Sequence, residues 1–598
     1  MDRPRTHSPV FNELRAIQRT HGYLPEAELR LLAERLDLPL YRLQAVASFY
    51  PHFFLRPPAR VEVRVCGDMA CHRYRGNELR EALARRFQGQ DVNVAHVSCL
   101  GRCDLAPAIA INDQIFETVS EGEAAALIGT ALGGQVLPRM HPPPPYDAAS
   151  SHPNGRVQLR SDPYEPGTRY GVLRDYVHSR DWLGLIAKLK DSGLRGLGGA
   201  GFPTGLKWEI VRNQPGNKKF VVCNADESEP GTIKDRFIMT HAPHLVVEGM
   251  ILCGLVVGAR HGILYIRHEY SEQEHILEAE IERCYREGLL GGRMLGSDLA
   301  FDLEVFVSPG GYICGEESAL LEAIEGKRAE PRNKPPFPGQ QGLWQQPTVI
   351  NNVETFFFVP VILARGIEWL KAEGRNGSIG VKFVGVSGDV TRPGIYEVAM
   401  GTPYRELIDR YAGGVAAGRT LKSFAPSGPA GGYLPAAMLD LPLDWAAMAK
   451  AGATVGSGAV VVCDDRACML DMALNAIRFF RNESCGKCVP CRTGSQKLVD
   501  VLTEWTQGRR GASDLTLVEE LGHALRLTSI CGLGQVVPVP LASVMKHFAE
   551  EVEAHVRDRV CPAGVCFSAS RAEPRVPTLR EPQGRPELRR GTNLGPVS

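Results

Sequence analysis

Hydrophobic positions along the chain change their period several times, and each change predicts a different element. Between about residues 8 and 56, apolar residues recur at three- and four-residue intervals, as in PEAELRLLAERLDLPLYRLQAVASFY, which predicts helices. The next stretch alternates: RVEVRVCGD, VNVAHVSCL and AIAIN are typical of strands, and the amphipathic GNELREALARRF lies between the first two. This order predicts a helical module followed by a small α/β domain.

The central part of the chain has the pattern of a larger α/β domain, with strand candidates at KKFVVCNA, HGILYIR and DLEVFVS. Further on, VKFVGVSGDVTRPGIYEV predicts a hairpin and YRELIDRYA a helix, which indicates a compact β-rich insert. After about Asp464 the pattern turns helical through MLDMALNAIRFFRNES, LVEELGHALRLTS and LASVMKHFAEEVEAHV. We therefore expect an α/β multidomain chain.

Proline-rich segments and changes of period divide the chain into seven parts. LPRMHPPPPYDAAS is typical of a semi-rigid linker, and the Pro- and Arg-rich C-terminal stretch predicts a disordered or docking tail. The predicted parts are a helical module (1–57), a small α/β domain (58–137), a linker (138–160), a large α/β domain (161–378), a β-rich insert (379–460), a helical domain (461–567) and a tail (568–598).

Composition narrows the classes of function. The 598 residues are 44% hydrophobic and 23% charged with a formal net charge of zero, as in an ordinary globular protein. Nothing in this balance favours nucleic acid as a partner. No apolar run is long enough to predict a transmembrane helix, and the N-terminus lacks the pattern of a secretory signal. We expect a cytoplasmic chain with no direct membrane span.

Sixteen cysteines are many for a reducing compartment, and their clustering indicates metal. ESCGKCVPCRTG supplies Cys485, Cys488 and Cys491, and TSICGLG supplies Cys531. Three thiolates at two-residue spacing on a tight loop, with a fourth from elsewhere, suit a 4Fe-4S cluster. Structural zinc is the alternative, although it usually takes its thiolates from two separate knuckles.

A second group of four cysteines follows strand candidates near the N-terminus. Its members are Cys66 and Cys71 in VCGDMAC, and Cys99 and Cys103 in SCLGRC. Both pairs fall on loops at strand ends, so they can converge on one edge of a sheet. Four thiolates satisfy a 2Fe-2S centre, with zinc or inert thiols as the alternatives.

The other cysteines have weaker patterns. CPAGVC holds Cys561 and Cys566, too few for either cluster type, so we interpret them as inert thiols and expect no cluster there. The scattered cysteines are interpreted as small buried apolar residues: Cys223, Cys253, Cys284, Cys314, Cys463 and Cys468.

A glycine-rich loop lies in SGLRGLGGAGFPTGLKW, residues 192–208, where GLGGAG matches G-x-G-x-x-G. The standard dinucleotide fingerprint needs a strand before the glycines and an acidic residue about twenty positions after them. Here the preceding DWLGLIAKLKDSGL has the apolar spacing of a helix, and the acidic residue is missing. The loop is therefore not a standard Rossmann site.

Five motifs in order give the chain a family resemblance: LRGLGGAGFPTGLKW, NADESEPGTIKDR, GGYICGEESALLEAIEGKRAEPRNKPPFP, PTVINNVET and ESCGKCVPCRTG with SICGLG. The chain closely resembles the NADH-binding flavoprotein subunit of respiratory complex I and its relatives in NAD-reducing hydrogenases and NAD-dependent formate dehydrogenases. Its N-terminal portion resembles the thioredoxin-like 2Fe-2S subunit of the same assemblies, here fused in front. The resemblance covers about residues 10 to 565.

The resemblance implies four cofactors: FMN, NAD(H), one 4Fe-4S cluster and one 2Fe-2S cluster. It implies a thioredoxin-like domain at 58–137, a Rossmann-like FMN/NAD(H) domain at 161–378, a β-grasp-like, SLBB-type insert at 379–460 and a helical 4Fe-4S domain at 461–567. It also implies that hydride transfer is carried by FMN, without a catalytic side chain.

The cofactor-contacting residues also come from the resemblance. The resemblance implies that the glycine-rich loop, a lysine and two aromatic rings that stack on the nucleotide contact the cofactors. These residues are the glycines Gly196, Gly198, Gly199 and Gly201, the positively charged Lys207, and the aromatic residues Phe202 and Phe337. The other contacts to FMN or the nucleotide are Asn224, Asp226, Glu227, Glu229, Tyr312, Gly315, Lys334, Asn351 and Asn352, with Glu316 and Glu317 near the flavin edge.

The fused layout and the stretch APSGPAGGYLPAAMLDLPLDW are closest to the β subunit of molybdenum- or tungsten-containing formate dehydrogenases. Similarly fused hydrogenase subunits often lack the N-terminal cluster cysteines. We therefore expect a diaphorase subunit that couples formate oxidation to NAD+ reduction, with a catalytic alpha subunit carrying further iron–sulfur clusters as partner. The alternatives are the diaphorase of an NAD-reducing hydrogenase, the flavoprotein subunit of an NADH-quinone oxidoreductase and, outside the enzymes, a zinc-stabilised assembly scaffold.

Overall fold

The computed structural model describes residues 7–138, 159–165, 167–509 and 511–567. The expected linker lies almost wholly outside the described residues, and the expected tail lies wholly outside them. The described chain is α/β, with three separate sheets and a helical C-terminal part, which confirms the expected fold class.

Three helices precede the first sheet: α1 (Val10–His21), α2 (Glu26–Arg35) and α3 (Leu40–Phe49). Pro25 and Pro39 stand immediately before α2 and α3, where a missing N–H costs no helical hydrogen bond. The buried face of α1 packs on the central domain, where the rings of Phe11 and Phe306 meet edge to face at 6.2 Å. The module is therefore part of a larger core.

The small α/β domain follows. Its elements are β1 (Val61–Cys66), α4 (Ala70–Arg73), α5 (Gly76–Arg86), β2 (Val92–Val97), β3 (Ala108–Ile111), β4 (Gln114–Glu117) and α6 (Glu121–Leu132). The sheet order is β2-β1-β3-β4, with β1 parallel to β2 and antiparallel to β3. The predicted order of strand, helix, strand and strand is confirmed.

The central domain is a four-stranded parallel sheet covered by helices. Its strands are β5 (Phe220–Ala225), β6 (His261–Ile266), β7 (Asp302–Val307) and β8 (Thr348–Asn352). Its helices are α7 (Gly171–Ser179), α8 (Trp182–Asp191), α9 (Thr204–Arg212), α10 (Lys234–His241), α11 (Pro243–Val257), α12 (Ser271–Arg286), α13 (Glu317–Ile324), α14 (Val353–Arg365) and α15 (Ile367–Glu373).

The strand order β7-β6-β5-β8 determines where a ligand fits. From β5 the chain passes to β6 on one side and later reaches β8 on the other, so the carboxyl ends of β5 and β8 flank a topological switch point. Open parallel sheets bind ligands at such points. The sequence predicted β5, β6 and β7 but not β8.

The helix α11 forms the centre of this domain, with all of its residues buried. It crosses α14 closely, since a Cβ on Gly249 would lie 2.1 Å from the Phe356 carbonyl oxygen.

Among the described residues, no single helix is long and apolar enough to cross a membrane. Only the bent pair α10–α11, with its two helices counted together, has the length and composition of a membrane span.

The β-rich insert contains β9 (Val381–Gly388), β10 (Gly394–Ala399), α16 (Tyr404–Glu406), β11 (Leu421–Pro429), β12 (Leu434–Pro435), α17 (Trp445–Lys450) and β13 (Ala459–Asp464). The sheet order is β10-β9-β13-β11-β12. The predicted β9–β10 hairpin is confirmed. Strand β13 pairs with both β9 and β11, so this sheet extends past residue 460.

The C-terminal part is helical, as predicted. Its helices are α18 (Met469–Glu483), α19 (Ser495–Thr506), α20 (Leu515–Thr528), α21 (Gly532–Val536), α22 (Val539–His547) and α23 (Ala549–Glu553). The buried side chains of α18, α19 and α22 join the core that also receives the N-terminal module.

A buried carboxyl in α11 makes the stability of this core depend on pH. Glu248 is fully buried, and its Oε1 accepts hydrogen bonds from the Tyr164 hydroxyl at 3.0 Å and the Leu173 N–H at 2.9 Å. Burial raises the pKa of Glu248 to about 8. From about pH 4.5 to about pH 8 the folded state thus keeps a proton that the unfolded state has released, and stability falls as pH rises through this window.

We expect Glu248→Gln, which keeps the shape and cannot ionise, to unfold at the wild-type temperature at pH 5 and at a higher temperature than wild type at pH 8.5. Thermal unfolding at both pH values measures this difference. The matched control is Glu368→Gln, since the Glu368 side chain is 88% exposed and should show no pH-dependent difference. An equal shift for Glu248→Gln at both pH values would contradict the assignment.

Candidate functional site

The carboxyl ends of β5 and β8 lie side by side, with Asn224 and Asn352 as partners in the strand register. We call the region between these strand ends and the glycine-rich loop the cleft. The Asn224 side-chain amide donates to the Gly315 carbonyl at 2.8 Å. The Trp208 indole N–H donates to Asn351 Oδ1 at 3.0 Å. Four of the five motifs that carry the family resemblance therefore meet at this edge of the sheet.

The glycine-rich loop closes over the same edge. Its ends are joined by hydrogen bonds from the Gly196 N–H to the Phe202 carbonyl at 2.8 Å and from the Gly201 N–H to the Gly196 carbonyl at 3.2 Å. Gly199 has a φ of +124°, a conformation that side-chain-bearing residues rarely adopt. A Cβ on Gly198 would lie 2.8 Å from the Asn352 Cβ. The expected helix before the loop is α8, which confirms that this is not a standard dinucleotide fingerprint.

Unpaired backbone donors remain in this loop. Within the described part of the chain, the N–H groups of Gly198, Gly199 and Ala200 have no acceptor. Successive free N–H groups in a glycine loop form a concave site for an anion such as a phosphate. The loop and the nearby asparagine amides thus fit the phosphate and the polar chain of FMN.

A buried set of charges holds Asn352 in place. Lys234 Nζ lies 2.6 Å from Asp235, 3.1 Å from Glu354 and 3.0 Å from Asn352 Oδ1. The Asn352 amide donates to Asp235 at 2.6 Å, and Lys382 Nζ lies 2.8 Å from Glu354. The sequence analysis missed Lys234, Glu354 and Lys382. Lys234 and Asp235, at the end of NADESEPGTIKDR, and Glu354, in PTVINNVET, stand within motifs that carry the resemblance, and Lys382 gave no signal.

The mouth of the cleft presents aromatic rings. Phe202 is 43% exposed and Phe337 is 55% exposed, both large values for phenylalanine. Lys207 Nζ lies 5.9 Å from the Phe202 ring centroid and donates to the Ile350 carbonyl at 3.0 Å. Burial lowers the pKa of Lys207. Exposed rings beside an anion site leave apolar faces for a planar base.

Lys334 joins the two predicted flavin-edge acids. Its Nζ lies 2.8 Å from Glu316 and 2.6 Å from Glu317. Burial opposes ionisation, yet the two carboxylates raise the pKa of Lys334. Glu316 also accepts from the N–H groups of Ser318 and Ala319 at the start of α13. This ion triad therefore depends on a fixed helix end.

Glu227, predicted as a cofactor contact, is held by hydrogen bonds within the protein. Glu227 is 4% exposed, and its carboxylate accepts from the Asp235 and Arg236 N–H groups at 2.8 and 3.0 Å. The Tyr270 hydroxyl also donates to it at 3.0 Å. Glu227 thus binds the first turn of α10.

The carboxylate of Glu229 accepts a hydrogen bond from the Ala430 N–H at 3.3 Å. Burial is the largest cause of its pKa shift and raises the pKa of Glu229 to about 7.

The four N-terminal cysteines lie in one dry site, each at most 3% exposed. Cys99 Sγ and Cys103 Sγ are 3.4 Å apart, and the side chains of Cys66 and Cys71 are in contact. Backbone N–H groups of Gly101 and Gly231 donate to Cys99 Sγ at 3.3 Å and to Cys103 Sγ at 3.1 Å. Two close pairs of sulfurs, each able to bind one iron, fit a 2Fe-2S centre.

The second cysteine set lies at the end of α18 and the start of α21. Cys491 is buried, and Cys485, Cys488 and Cys531 are half-buried. Cys531 receives hydrogen bonds from backbone N–H groups of the turn that follows it, and the Ser484 hydroxyl lies 3.2 Å from Cys491 Sγ. Donors around a group of four thiols fit the sulfur-rich surface of a 4Fe-4S cluster.

Tyr312 lies close to both the cleft and the second cysteine set. Burial, with added effects of the nearby Glu229 and Cys531, raises the pKa of Tyr312 well above its usual range. Its N–H donates to Glu483 at 2.6 Å, and its ring packs 5.0 Å from that of Phe479 in α18. Tyr312 therefore lies near both the cleft carboxyl Glu229 and the Cys531 loop.

Four segments match described protein families. Residues 189–361 match the Nuo51 FMN-binding domain, and residues 471–555 match the NADH-ubiquinone oxidoreductase-F iron-sulfur binding region. Residues 2–131 match the thioredoxin-like [2Fe-2S] ferredoxin, and residues 383–429 match the SLBB domain. Each of the three cofactor-binding matches falls on one of the sites described above.

Whole-chain comparisons agree with these matches. The F 2 subunit of the NADH-quinone oxidoreductase of Rhizobium meliloti (strain 1021) is 43% identical over 399 residues, which cover 67% of this chain and 95% of that protein. The HndC subunit of the NADP-reducing hydrogenase of Solidesulfovibrio fructosivorans is 42% identical over 66% of this chain and 82% of its own length. A chain of an NAD+-reducing [NiFe]-hydrogenase, solved in the H2-reduced state, has a TM-score of 0.80 and 32% identity, with 93% of both chains covered.

The cleft and the two cysteine sets define an NAD(H)-dependent flavin and iron–sulfur oxidoreductase module, with FMN, one 4Fe-4S and one 2Fe-2S cluster as its cofactors. The module is of the kind found in larger complexes with iron–sulfur partners. The chain belongs to the family of NADH-quinone oxidoreductase F subunits, with a thioredoxin-like 2Fe-2S domain fused at its N-terminus.

Replacing one ligand of each cysteine set should remove one cluster at a time. We expect Cys488→Ser to lower iron from about six to about two atoms per chain and Cys99→Ser to lower it to about four, because each cluster needs its four protein thiolates. Iron and sulfide analysis with electron paramagnetic resonance of the reduced protein measures both. Cys253→Ala, at a buried cysteine in α11, should keep all the iron. Loss of both clusters in either serine variant, with wild-type folding, would contradict two independent sites.

Proposed function

We propose that the cleft at β5 and β8 binds FMN beneath NAD(H) and that this chain exchanges electrons between NAD(H) and a partner subunit through its two iron–sulfur sites. The observation that carries the proposal is the set of free N–H groups at Gly198, Gly199 and Ala200, in a loop that approaches Asn352, the register partner of Asn224. When bound, FMN exchanges a hydride with nicotinamide and electrons, one at a time, with iron–sulfur clusters.

The side chains of the cleft bind and orient rather than react. The loop N–H groups and the asparagine amides hold the phosphate and polar chain of FMN. Phe202 and Phe337 cover the faces of the nucleotide base, and the Lys334 triad places charge at the mouth. Bound FMN and nicotinamide would supply the hydride chemistry themselves, so no side-chain acid or base would be required.

The path outward follows Tyr312. Both the cleft carboxyl Glu229 and Cys531 lie close enough to this residue to affect its pKa. On another side of the cleft, the segment after β5 contacts the N-terminal cysteine site through the Gly231 N–H. We therefore assign the Cys485 set to the route toward the partner and the N-terminal set to a side branch or electron reservoir.

The partner is the finer part of the proposal, and two candidates have support. The N-terminal cluster cysteines and the 425–445 stretch favour a molybdenum- or tungsten-containing formate dehydrogenase. The match of 93% of both chains with a chain of an NAD+-reducing [NiFe]-hydrogenase supports a hydrogenase partner, because the same fused layout occurs there. The structural likeness outweighs the sequence argument, so we propose the hydrogenase first and formate dehydrogenase second.

Loss of an exposed ring should weaken nucleotide binding without changing the chemistry. For Phe202→Ala we expect KM for NADH to rise about 5- to 30-fold with kcat within about twofold, since stacking and burial of one base face are lost. NADH oxidation with an artificial one-electron acceptor measures both constants. Tyr41→Ala removes a ring that is 66% exposed in α3, far from the cleft in the chain, and should leave KM unchanged. An unchanged KM in Phe202→Ala would contradict the stacking role.

Isolation of the native complex through a tag on this chain tests the partner. NAD+ reduction is then assayed with hydrogen, with formate and with neither. We expect hydrogen-dependent reduction; formate-dependent reduction would overturn the first candidate in favour of the second. NADH-dependent quinone reduction with neither activity would overturn both.

A further inference from the structure

Four side chains that the proposed electron path does not use meet near the start of α18. They are Cys468, immediately before that helix, His555, just after α23, and Cys561 and Cys566 in the final described turn. Each offers one ligand atom, and all four atoms lie within 4.8 Å of one another. Cys468 and His555 are at most 1% exposed. Cys468 is interpreted above as a small buried apolar residue, and Cys561 and Cys566 as inert thiols; the structure brings the three sulfurs together beside an imidazole.

The spacing of these atoms fits a single metal ion. Cys468 Sγ lies 3.4 Å from His555 Nε2 and 3.6 Å from Cys566 Sγ. Sulfurs at about 2.3 Å and a nitrogen at about 2.0 Å from a tetrahedral ion are separated from each other by about 3.3–3.8 Å. A 4Fe-4S cluster holds its thiolates farther apart, at about 6 Å. The group is therefore too compact for a cluster of that kind.

The two cluster sites provide an internal comparison. Among the described residues, neither the Cys66 set nor the Cys485 set forms a group whose ligand atoms all lie within 4.8 Å. The former contains close pairs, and the latter is more open. The group at Cys468 thus differs in geometry from both iron–sulfur sites in the same chain.

Local hydrogen bonds prepare His555 and Cys561 as ligands. His555 Nδ1 lies 2.7 Å from the Glu551 carbonyl oxygen, which can only accept, so Nδ1 carries the proton and Nε2 presents a lone pair to the sulfurs. The Val565 N–H donates to Cys561 Sγ at 3.3 Å. Gly564 has a φ of +65°, which turns the chain so that Cys566 returns to Cys561.

We propose that Cys468, His555, Cys561 and Cys566 bind one zinc ion in a closed, structural Cys3His site. Three thiolates and one imidazole are a preferred zinc donor set, and four protein ligands leave no open position for catalysis. The site is independent of the nucleotide cleft and of both clusters.

The position of the site indicates what it stabilises. Zinc would join the segment 555–566 to Cys468, immediately before α18. The same helix uses Asp471 and Asn475 to hold the loop of the N-terminal cysteines, through His72 at 2.7 Å and the Met69 N–H at 2.8 Å. Its other end leads into Cys485. The zinc ion would therefore fix the helix that connects the two cluster loops.

Metal analysis of the intact protein tests the site without substitution. The full chain, purified anaerobically and washed with chelator, should contain about one zinc per chain in addition to its iron. Zinc K-edge absorption should show about three sulfurs at about 2.3 Å and one nitrogen at about 2.0 Å. Absence of zinc, zinc with oxygen ligands or a mononuclear iron in its place would each overturn the proposal.

Variants separate a specific site from adventitious zinc. Cys561→Ser and His555→Ala should lower zinc at least fivefold while iron stays within about a fifth of wild type, and His555→Cys should retain zinc because four thiolates also bind it. Cys284→Ser, at a buried cysteine outside the group, is the matched control and should keep zinc. Unchanged zinc in Cys561→Ser and His555→Ala would overturn the proposal.

Discussion

The segment that follows β5 holds the cleft and the N-terminal cysteine site together, and the rest of the arrangement depends on this connection. The Gly231 N–H donates to Cys103 Sγ at 3.1 Å, and Arg236 binds both oxygens of Asp104 at 2.7 Å. Arg267, at the end of β6, donates to the Cys99 carbonyl at 2.6 Å. Because these groups are buried or nearly so, separating the two domains would leave charges without partners, which is costly. The fused domain is therefore a fixed neighbour of the cleft rather than a tethered one.

The helix α18 likewise connects the cleft with the cysteine sites. Its N-terminal half holds the loop of the first cysteines, its C-terminal end leads into the second set, and its aromatic residue Phe479 packs on Tyr312 beside the cleft. One rigid element thus contacts all three redox sites. A zinc site at its first turn would stabilise it where the chain enters from the β-rich sheet.

Much of the fold and of the cysteine sites could be predicted from the sequence, for physical reasons. Strands β5, β6 and β7 are apolar runs, and the spacing of Cys485, Cys488 and Cys491 already specifies one loop and its chemistry. Strand β8 was missed because it ends in the polar pair Asn351 and Asn352. The hydrogen-bonding groups of this pair find their partners, the parallel strand β5 and Trp208, only in the fold.

Contacts between distant segments could not be predicted. Glu227 stands in a motif that predicts a cofactor contact, and only the fold shows that its carboxylate also accepts from the first turn of α10. Likewise Cys468 and His555 lie 87 positions apart, and no local spacing relates them to Cys561. Pairing at that distance is decided by the packing of α18 against α23, not by a motif.

The most direct test is an anaerobic titration of the isolated full chain with NADH, followed by visible absorption and electron paramagnetic resonance. If the cleft binds FMN in contact with the Cys485 route, NADH should bleach the flavin and the iron–sulfur absorption together and produce the signal of a reduced cluster. Bleaching of flavin with both clusters left oxidised, or no reduction by NADH at all, would contradict the account.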